Sequence, residues 1–189
     1  MLAQTLITLV TALGDFFALT LLLRFLLQWA RAPARNPLSA FVNALTNFAV
    51  IPLRRIVPGL WGLDLATLLL AWLTEAAKLW LVVAVKGGIA GAASAPLALF
   101  AVAALQLAIL TIYVVMGAIV VQALLSWVNP HSPVAPMLDS LTRPFLRPFQ
   151  RMIPLVANVD LSPLAALLVC QLLLGGPLAW LEANLGRLL

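Results

Sequence analysis

The chain has 189 residues, of which 64% are hydrophobic and only 9% are charged. Soluble domains carry about 25% charged residues, so 11 basic and 6 acidic residues cannot cover the water-facing surface of a chain this long. The mean hydropathy of +1.11 points the same way. Composition therefore excludes a soluble globular domain, a disordered chain and a nucleic-acid-binding domain, and the net charge of +5 becomes a signal of membrane orientation.

Four apolar stretches follow one another along the chain, each of about 20 residues, enough to cross a hydrocarbon core of about 30 Å as a helix. They are Leu6–Trp29, Leu65–Val85, Leu105–Trp127 and Leu161–Leu181. Because helices satisfy their own backbone hydrogen bonds in lipid, we predict an all-α integral membrane protein with about four transmembrane helices. We expect unbroken spans, without the glycine or proline interruption that would mark a midplane site.

Two similar halves flank a short connector. Residues 87–96 are rich in glycine, alanine and serine, which is typical of a flexible linker. Residues 1–86 and 97–189 each contain a span, an arginine- and proline-rich segment and a second span. Trp29 matches Trp127 at an offset of 98 residues, and Asp64 matches Asp160 at an offset of 96. A repeat of this length is a duplicated half rather than a solenoid unit.

Each arginine/proline segment begins with a helix signal. Asn36 and Ser132 occupy an N-cap position, and a proline follows each at the first helical position. Apolar residues then recur at i, i+3, i+4 and i+7 in both copies, which predicts an amphipathic helix lying in the membrane interface. We expect the later prolines to end these helices, because proline disrupts a helix interior.

The arginines, prolines and aspartates of these segments form a candidate interfacial site. One interpretation is that the arginines only determine the orientation of the protein in the membrane. The other is that they bind phosphate headgroups or a partner. Each aspartate precedes a span, where it can cap the first N–H groups of the helix. The predicted motif comprises Arg54, Arg55, Pro58 and Asp64 in the first half and Arg143, Pro144, Arg147, Pro148, Arg151, Pro154 and Asp160 in the second.

Positive charge is distributed unevenly between the two sides of the predicted bundle. Both arginine/proline segments lie on one side and hold seven arginines, whereas Lys86 and Arg187 lie on the other. The positive-inside rule places both segments in the cytoplasm and both termini outside. With two spans in each half, the halves enter the bilayer in the same direction, as a parallel repeat.

Four ionisable residues fall within the first two spans, where burial in lipid is costly. Because these spans run antiparallel, counting residues from the ends places Asp15 level with Lys78 and Arg24 level with Glu75, and we predict these two ion pairs. One interpretation is an ion or proton pathway. The other is that the pairs hold neighbouring helices together. The second half has neutral residues at the matching positions.

Residues suited to catalysis are scarce. The single cysteine, Cys170, cannot form an internal disulfide, and the single histidine, His131, has no cluster of metal ligands around it. No motif places a nucleophile beside a base. The sequence therefore predicts neither an enzyme nor a metal or cofactor site.

An ordered string in the second half resembles the YggT family, called YlmG in Gram-positive bacteria. It runs through Ser126-Trp127 and Asn129-Pro130, continues from Thr142 to Pro154 with arginines and prolines interleaved, and ends at Asp160-Leu161-Ser162-Pro163. Gln150 stands where arginine is usual in that run. The first half matches more loosely, with Arg55 and Asp64 in place and Ala66-Thr67 replacing Ser-Pro. The resemblance covers nearly the whole chain as two YggT repeats.

The resemblance implies a small, multi-pass protein of the bacterial inner membrane, which would make the outer side periplasmic. It links the two-copy form to osmotic and envelope stress, including potassium uptake. It also links relatives to cell-division genes and, in plastids, to haem attachment during cytochrome assembly. It supplies no catalytic residue.

Two functions remain open at this point. The first is a membrane assembly or scaffold factor that presents its arginine/proline segments to an unidentified membrane protein or to anionic lipid. The second is an ion channel, a transporter or a transporter accessory that uses the intramembrane charges, and four spans would make such a protein thin unless it forms a homo-oligomer.

Overall fold

The structure, a computed structural model, describes residues 1–33, 36–59, 62–94, 96–129, 132–153 and 160–187. Within these ranges the chain is helical and contains no β-strand. A π-helical turn, Leu174–Leu178, joins the last two α-helices. The α-helices are α1 (Leu2–Trp29), α2 (Pro37–Arg54), α3 (Leu65–Ser94), α4 (Pro96–Val128), α5 (Ala135–Met152), α6 (Ser162–Leu173) and α7 (Ala179–Gly186).

Four helices in the described ranges are long and apolar enough to cross a membrane. They are α1, α3, α4 and the composite helix from α6 to α7, with membrane-competent segments Leu2–Trp29, Leu65–Gly87, Pro96–Ser126 and Ser162–Gly186. The shortest has 23 residues, which at 1.5 Å per residue gives about 35 Å. The prediction of an all-α membrane protein with four spans is confirmed.

The predicted connector between the halves is mostly helical. α3 continues to Ser94, and α4 begins at Pro96, so most of the predicted flexible linker at 87–96 is helical. Small residues permit flexibility but also fit a helix, and alanine is the strongest helix former. Pro96 stands at the start of α4, where the missing N–H of proline has no helical partner to lose.

α2 and α5 lie at the same end of the bundle. α1 packs along α3, and α3 packs against α4. The rings of Trp29, the last residue of α1, and Phe145 in α5 have centroids 5.8 Å apart. α2 contacts α1 and α3 on the other side. We call this end, formed by Trp29, α2 and α5, the arginine end.

The two segment helices begin differently. At α2, the Asn36 side chain accepts a hydrogen bond from the Ser39 N–H at 2.8 Å, with Pro37 at the first position, as predicted. At α5, the predicted N-cap Ser132 was wrong. The helix begins later, at Ala135, because a tight turn precedes it, in which the Ala135 N–H donates to the Ser132 carbonyl at 3.0 Å.

Three prolines lie inside these helices, contrary to the expectation that they would end them. Pro52 lies within α2, and Pro144 and Pro148 lie within α5. Each frees the carbonyl four residues earlier from its helical bond. All three side chains are exposed, so this interruption falls on the outer face, where the freed carbonyls can find other donors.

The fourth span is interrupted, and the expectation of unbroken spans was wrong here. Gly175, Gly176 and Pro177 lie in the π-helical turn between α6 and α7. Proline lacks the N–H that a regular α-helix would use at this point, and a π-turn absorbs the lost bond. The Gly-Gly-Pro run was the sequence signal for this feature.

Candidate functional site

Arg54 ties the first three helices together at the arginine end. Its Nε donates to Asp64 Oδ1 at 3.2 Å, and Nη2 donates to the other carboxylate oxygen and to Gln28 Oε1, the latter at 3.1 Å. Asp64 also accepts from the Thr67 N–H at 3.3 Å and from the Thr67 hydroxyl, so it caps the first turn of α3.

Asp64 is only 4% exposed. Burial alone would raise the pKa of its carboxyl group, but the hydrogen bonds from Arg54 and Thr67 and the positive charge of Arg54 outweigh burial. The pKa of Asp64 therefore lies below its ordinary value. The predicted capping role of this aspartate agrees with the geometry.

The second half repeats this arrangement with a neutral partner. Gln150 Nε2 donates to Asp160 Oδ2 at 3.1 Å, where the first half has Arg54 and Asp64. Asp160 also accepts from the Ser162 N–H at 2.8 Å. Slight burial tends to raise the pKa of Asp160, but the hydrogen bonds from Ser162 and Gln150 lower it below its ordinary value.

Arg24 occupies the matching position one layer deeper in the bundle. It is only 9% exposed, and its Nη1 donates to Thr46 Oγ1 at 2.6 Å and to Asn47 Oδ1 at 2.9 Å, both in α2. In the second half, Gln122 in α4 accepts from the Thr142 hydroxyl in α5. The same helix pair is therefore joined through a threonine in both halves, with a charged partner in the first and a neutral partner in the second.

The predicted pair between Arg24 and Glu75 was wrong. Among the described residues, Arg24 forms no ion pair, and the carboxylate of Glu75 contacts Lys78 instead. Arg24 lies nine residues after Asp15 in α1. Because Asp15 contacts Lys78 across antiparallel helices, the residue level with Arg24 lies nine positions before Lys78, at Leu69.

Asp15, Glu75 and Lys78 form a cluster that we call the Lys78 cluster. Lys78 Nζ lies 2.5 Å from Asp15 Oδ1, the contact that the residue count predicted, and also touches Glu75 one turn earlier on α3. The side chain of Glu75 is 2% exposed and that of Asp15 is 51% exposed. Gly14 lets the lysine cross α1, because a Cβ there would stand 3.0 Å from two Lys78 side-chain carbons.

A cavity of about 460 Å³ opens beside the Lys78 cluster. Gln106 and Tyr113 from α4 and Glu182 from α7 also line it. The buried oxygen Gln106 Oε1 accepts no hydrogen bond within the described part of the chain. Polar side chains from all four spans therefore meet at one cavity.

The arginines of α5 point outward. Arg143, Arg147 and Arg151 are exposed and follow one another at intervals of four residues, so they share one face, which we call the arginine stripe. Arg143 contacts Asp139 at 2.5 Å. The opposite face is buried through Met137, Leu138, Leu141, Thr142 and Leu146.

The remaining motif residues contribute less to contacts. Arg55 and Pro58 are exposed beyond the end of α2. Pro154 lies outside the described residues. The structure thus divides the predicted interfacial motif into arginines that hold helices together in the first half and arginines that face outward in the second.

Sequence reasoning missed the threonines. Thr46, Thr67 and Thr142 are fully buried; Thr46 and Thr142 each bond a polar side chain of a neighbouring helix, and Thr67 bonds Asp64 at the start of its own helix. Thr46 and Thr142 occupy matching positions of the two halves, 96 residues apart. That coincidence was the signal that a hydroxyl group is needed there.

A second cavity lies between α1 and α2 at the arginine end, and we call it the Arg24 cleft. Its volume is about 520 Å³, and its polar lining comes from Arg24, Gln28, Arg31, Ser39, Asn43, Asn47 and Arg54. Arg31 follows the end of α1 with φ of 51°, a left-handed conformation that costs a non-glycine residue about 1–2 kcal/mol.

Comparison with known proteins places the whole chain in one group. The CCB3/YggT family model matches residues 3–85 and 101–181, one segment in each half. An uncharacterised protein of Pseudomonas aeruginosa is 35% identical over 163 residues, which cover 85% of this chain and 82% of the relative. YggT of Escherichia coli K12, also described as uncharacterised, is 30% identical over 188 residues, which cover 98% of this chain and 96% of the relative.

A Vibrio alginolyticus protein described by its place in the proC 3′ region is 32% identical over 169 residues, covering 86% of this chain and 88% of the relative. No solved structure matches the chain significantly. The family model and these relatives agree with the ordered motif string, and together they show that the chain belongs to the CCB3/YggT family.

Proposed function

We propose that the protein is a non-enzymatic assembly or scaffold factor of the bacterial inner membrane. Its arginine end faces the cytoplasm, its termini face the periplasm, and the arginine stripe holds a partner membrane protein at the cytoplasmic surface. The family resemblance suggests that the scaffold acts in the response to envelope or osmotic stress, in cell division or in cofactor assembly.

The observation that carries this proposal is the outward arginine stripe. Arg147 and Arg151 form no ion pair within the described part of the chain, whereas Arg143 is partly neutralised by Asp139. Exposed, unpaired guanidinium groups on a rigid helix suit an acidic surface, because arginine binds carboxylates through two parallel hydrogen bonds.

The buried face of α5 explains why the stripe is held steady. Leu138 and Leu141 belong to the apolar core that α1 contributes to, and Leu146 packs in a second cluster with Val115 and Ile119 of α4. A partner that binds the stripe therefore contacts a helix fixed to both halves of the bundle. This is the property that a scaffold needs.

A mild-detergent pull-down after crosslinking in intact cells tests the proposal. The wild type is compared with the double variant Arg147→Gln/Arg151→Gln, and Arg187→Gln at the opposite end of the bundle is the matched control, since it also removes an exposed arginine. We expect one membrane protein to be recovered with the wild type and the control and to be lost with the double variant. Recovery that is the same in all three would overturn it.

The proposed orientation has its own test. A tag is placed at each terminus, and intact spheroplasts are treated with protease, which reaches only the periplasmic face of the membrane. Both tags should be cleaved, and a C-terminal tag that survives beside a cleaved outer-face control would contradict the orientation.

The Lys78 cluster supports a second candidate, ion movement through the membrane. Charged and polar side chains from all four spans line one cavity there, and buried ionisable residues in a span often mark an ion pathway. Flux of potassium or protons in proteoliposomes, measured with wild type and Glu75→Gln, separates the candidates. Flux that disappears with Glu75→Gln favours transport, and no flux beside a recovered partner favours the scaffold.

A further inference from the structure

The Arg24 cleft concentrates positive charge around an open space. Arg24, Arg31 and Arg54 all line the cleft, and no carboxylate does. Arg54 is neutralised by Asp64, whereas Arg24 and Arg31 form no ion pair within the described ranges. Two uncompensated guanidinium groups therefore face one cavity at the arginine end.

Arg24 keeps donors available although its side chain is buried. Both of its protein hydrogen bonds leave from Nη1, toward Thr46 and Asn47. Its Nη2 and Nε donate to no group in the described part of the chain, so these donors remain available to an anionic acceptor in the cleft. The contacts to α2 hold the group at the inner wall of the cleft.

Arg31 provides a second, independent observation. The Arg31 N–H donates to the Gln28 carbonyl at 3.0 Å, and the Ala32 N–H donates to the Leu27 carbonyl at 2.9 Å. This pattern is a Schellman motif, which normally places glycine where Arg31 stands, with φ of 51°. An unfavourable backbone conformation at a cavity wall often marks a functional residue, and here it brings an arginine to the mouth of the cleft.

The second half contains the same cleft with different chemistry. A cavity of about 470 Å³ between α4 and α5 is lined by Gln122 at the position of Arg24 and by Asp139 at the position of Asn43. No arginine lines it. The duplicated architecture thus keeps the cleft in both halves, but only the first is built for an anion.

We propose that the Arg24 cleft binds a phosphate group. A tetrahedral oxyanion would accept hydrogen bonds from Arg24 at the inner wall, from Arg31 at the mouth and from the Asn43 amide between them. The phosphate belongs either to an anionic lipid headgroup or to a soluble phosphate. The site goes beyond the scaffold proposal and does not depend on it, because the arginine stripe lies on another helix.

The depth of the cleft suits a group at the membrane surface. Arg24 lies five residues before the end of α1 at Trp29, which is about 7–8 Å along the helix axis. The volume of about 520 Å³ exceeds that of a bare phosphate and leaves space for the carbon chain that a phosphodiester carries. Both sources of phosphate are therefore sterically possible.

Two measurements on the full-length protein separate these sources. Native mass spectrometry from mixed phosphatidylglycerol and phosphatidylcholine micelles measures retained lipid, and calorimetry with inorganic phosphate measures soluble binding in neutral detergent. The variants are Arg24→Gln, Arg31→Gln and Asn43→Asp, the first and last of which copy residues already present in the second half. Arg187→Gln is the control, because it removes an exposed arginine at the opposite end of the bundle.

We expect the wild type and Arg187→Gln to retain the anionic lipid or to bind phosphate, and Arg24→Gln and Arg31→Gln to lose about tenfold or more in affinity, as expected for a lost charged hydrogen bond. Asn43→Asp should weaken binding similarly through repulsion while the fold stays intact by circular dichroism. No binding of either probe, or binding that Asn43→Asp and Arg31→Gln leave unchanged, would overturn the proposal. Selective retention of phosphatidylglycerol identifies a lipid site, and phosphate binding without lipid preference identifies a soluble ligand.

Discussion

Arg24 and Thr46 are joined by a 2.6 Å hydrogen bond between two buried side chains of neighbouring helices. The threonine hydroxyl accepts from the guanidinium group and donates to the Val42 carbonyl of its own helix at 2.7 Å. Removing this hydroxyl would leave a buried charge with one partner fewer. The cost of such a loss exceeds that of a neutral hydrogen bond.

Thr46→Val should therefore lower the free energy of unfolding by about 2–3 kcal/mol, and Thr142→Val, which removes a neutral contact to Gln122, by about 1 kcal/mol. Unfolding by sodium dodecyl sulfate in mixed micelles, followed by circular dichroism, measures both. Thr8→Val is the control, since Thr8 is exposed and bonds only the Gln4 carbonyl of its own helix. Equal effects of Thr46→Val and Thr8→Val would contradict this interpretation.

Stability should depend on pH through Asp64. Its pKa is lower in the folded protein than in the unfolded chain, so it adds stability above the unfolded pKa of about 4, and this contribution is lost as the pH falls through the folded pKa. The midpoint of thermal unfolding should therefore decrease as the pH falls from about 5 to below 4.

Asp64→Asn should flatten that acid dependence, whereas Asp139→Asn, which removes an exposed ion pair with Arg143, should leave it nearly unchanged. Asp160, whose pKa is also lowered, should add a smaller effect in the same direction, because its carboxylate is exposed. A series of melting curves across this pH range checks Asp64→Asn, Asp139→Asn and Asp160→Asn. An acid dependence that persists in Asp64→Asn would assign it to another group.

The Lys78 cluster predicts an unequal mutational pattern. Lys78→Gln leaves Glu75 buried and unpaired, and should cost about 3–5 kcal/mol. Asp15→Asn removes a half-exposed partner and should cost about 1 kcal/mol or less. Adding Glu75→Gln to Lys78→Gln should restore most of the loss, as the charge left behind is removed too. Simple additivity of the Glu75 and Lys78 variants in the same unfolding assay would show that the two side chains are not coupled.

Arg31→Gly should stabilise the protein by about 1 kcal/mol, because glycine adopts the left-handed conformation without the Cβ clash. Arg31→Ala should give no such gain, since alanine keeps the Cβ. Both should weaken phosphate binding at the Arg24 cleft to a similar degree. Unfolding in micelles together with native mass spectrometry distinguishes the backbone effect from the charge effect, and a destabilised Arg31→Gly would contradict the proposed strain.

Counting residues along antiparallel spans matched the depths of Asp15 and Lys78, which are in contact. The same count misplaced Arg24, which lies level with Leu69 rather than Glu75 and bonds Thr46 and Asn47 on α2 instead. The four spans could be predicted from the length of the apolar stretches alone, because a helix needs about 20 apolar residues to cross the hydrocarbon core of a membrane. The prolines of α5 and the Gly-Gly-Pro turn misled in opposite senses, since Pro144 and Pro148 lie inside a helix that they were expected to end, whereas Gly-Gly-Pro forms a π-turn in a span that was expected to be regular.

The π-helical turn sets the direction of the last residues of the bundle. Such a turn adds one residue to an α-helix, and each residue of an α-helix rotates the chain by about 100°. Glu182 follows the turn and lines the cavity beside Lys78. Deleting Gly176, which has no side-chain neighbour to lose, would restore the regular winding and swing Glu182 about 100° around the helix axis, away from the lysine. One inserted residue therefore decides whether this carboxylate faces the other spans or the lipid.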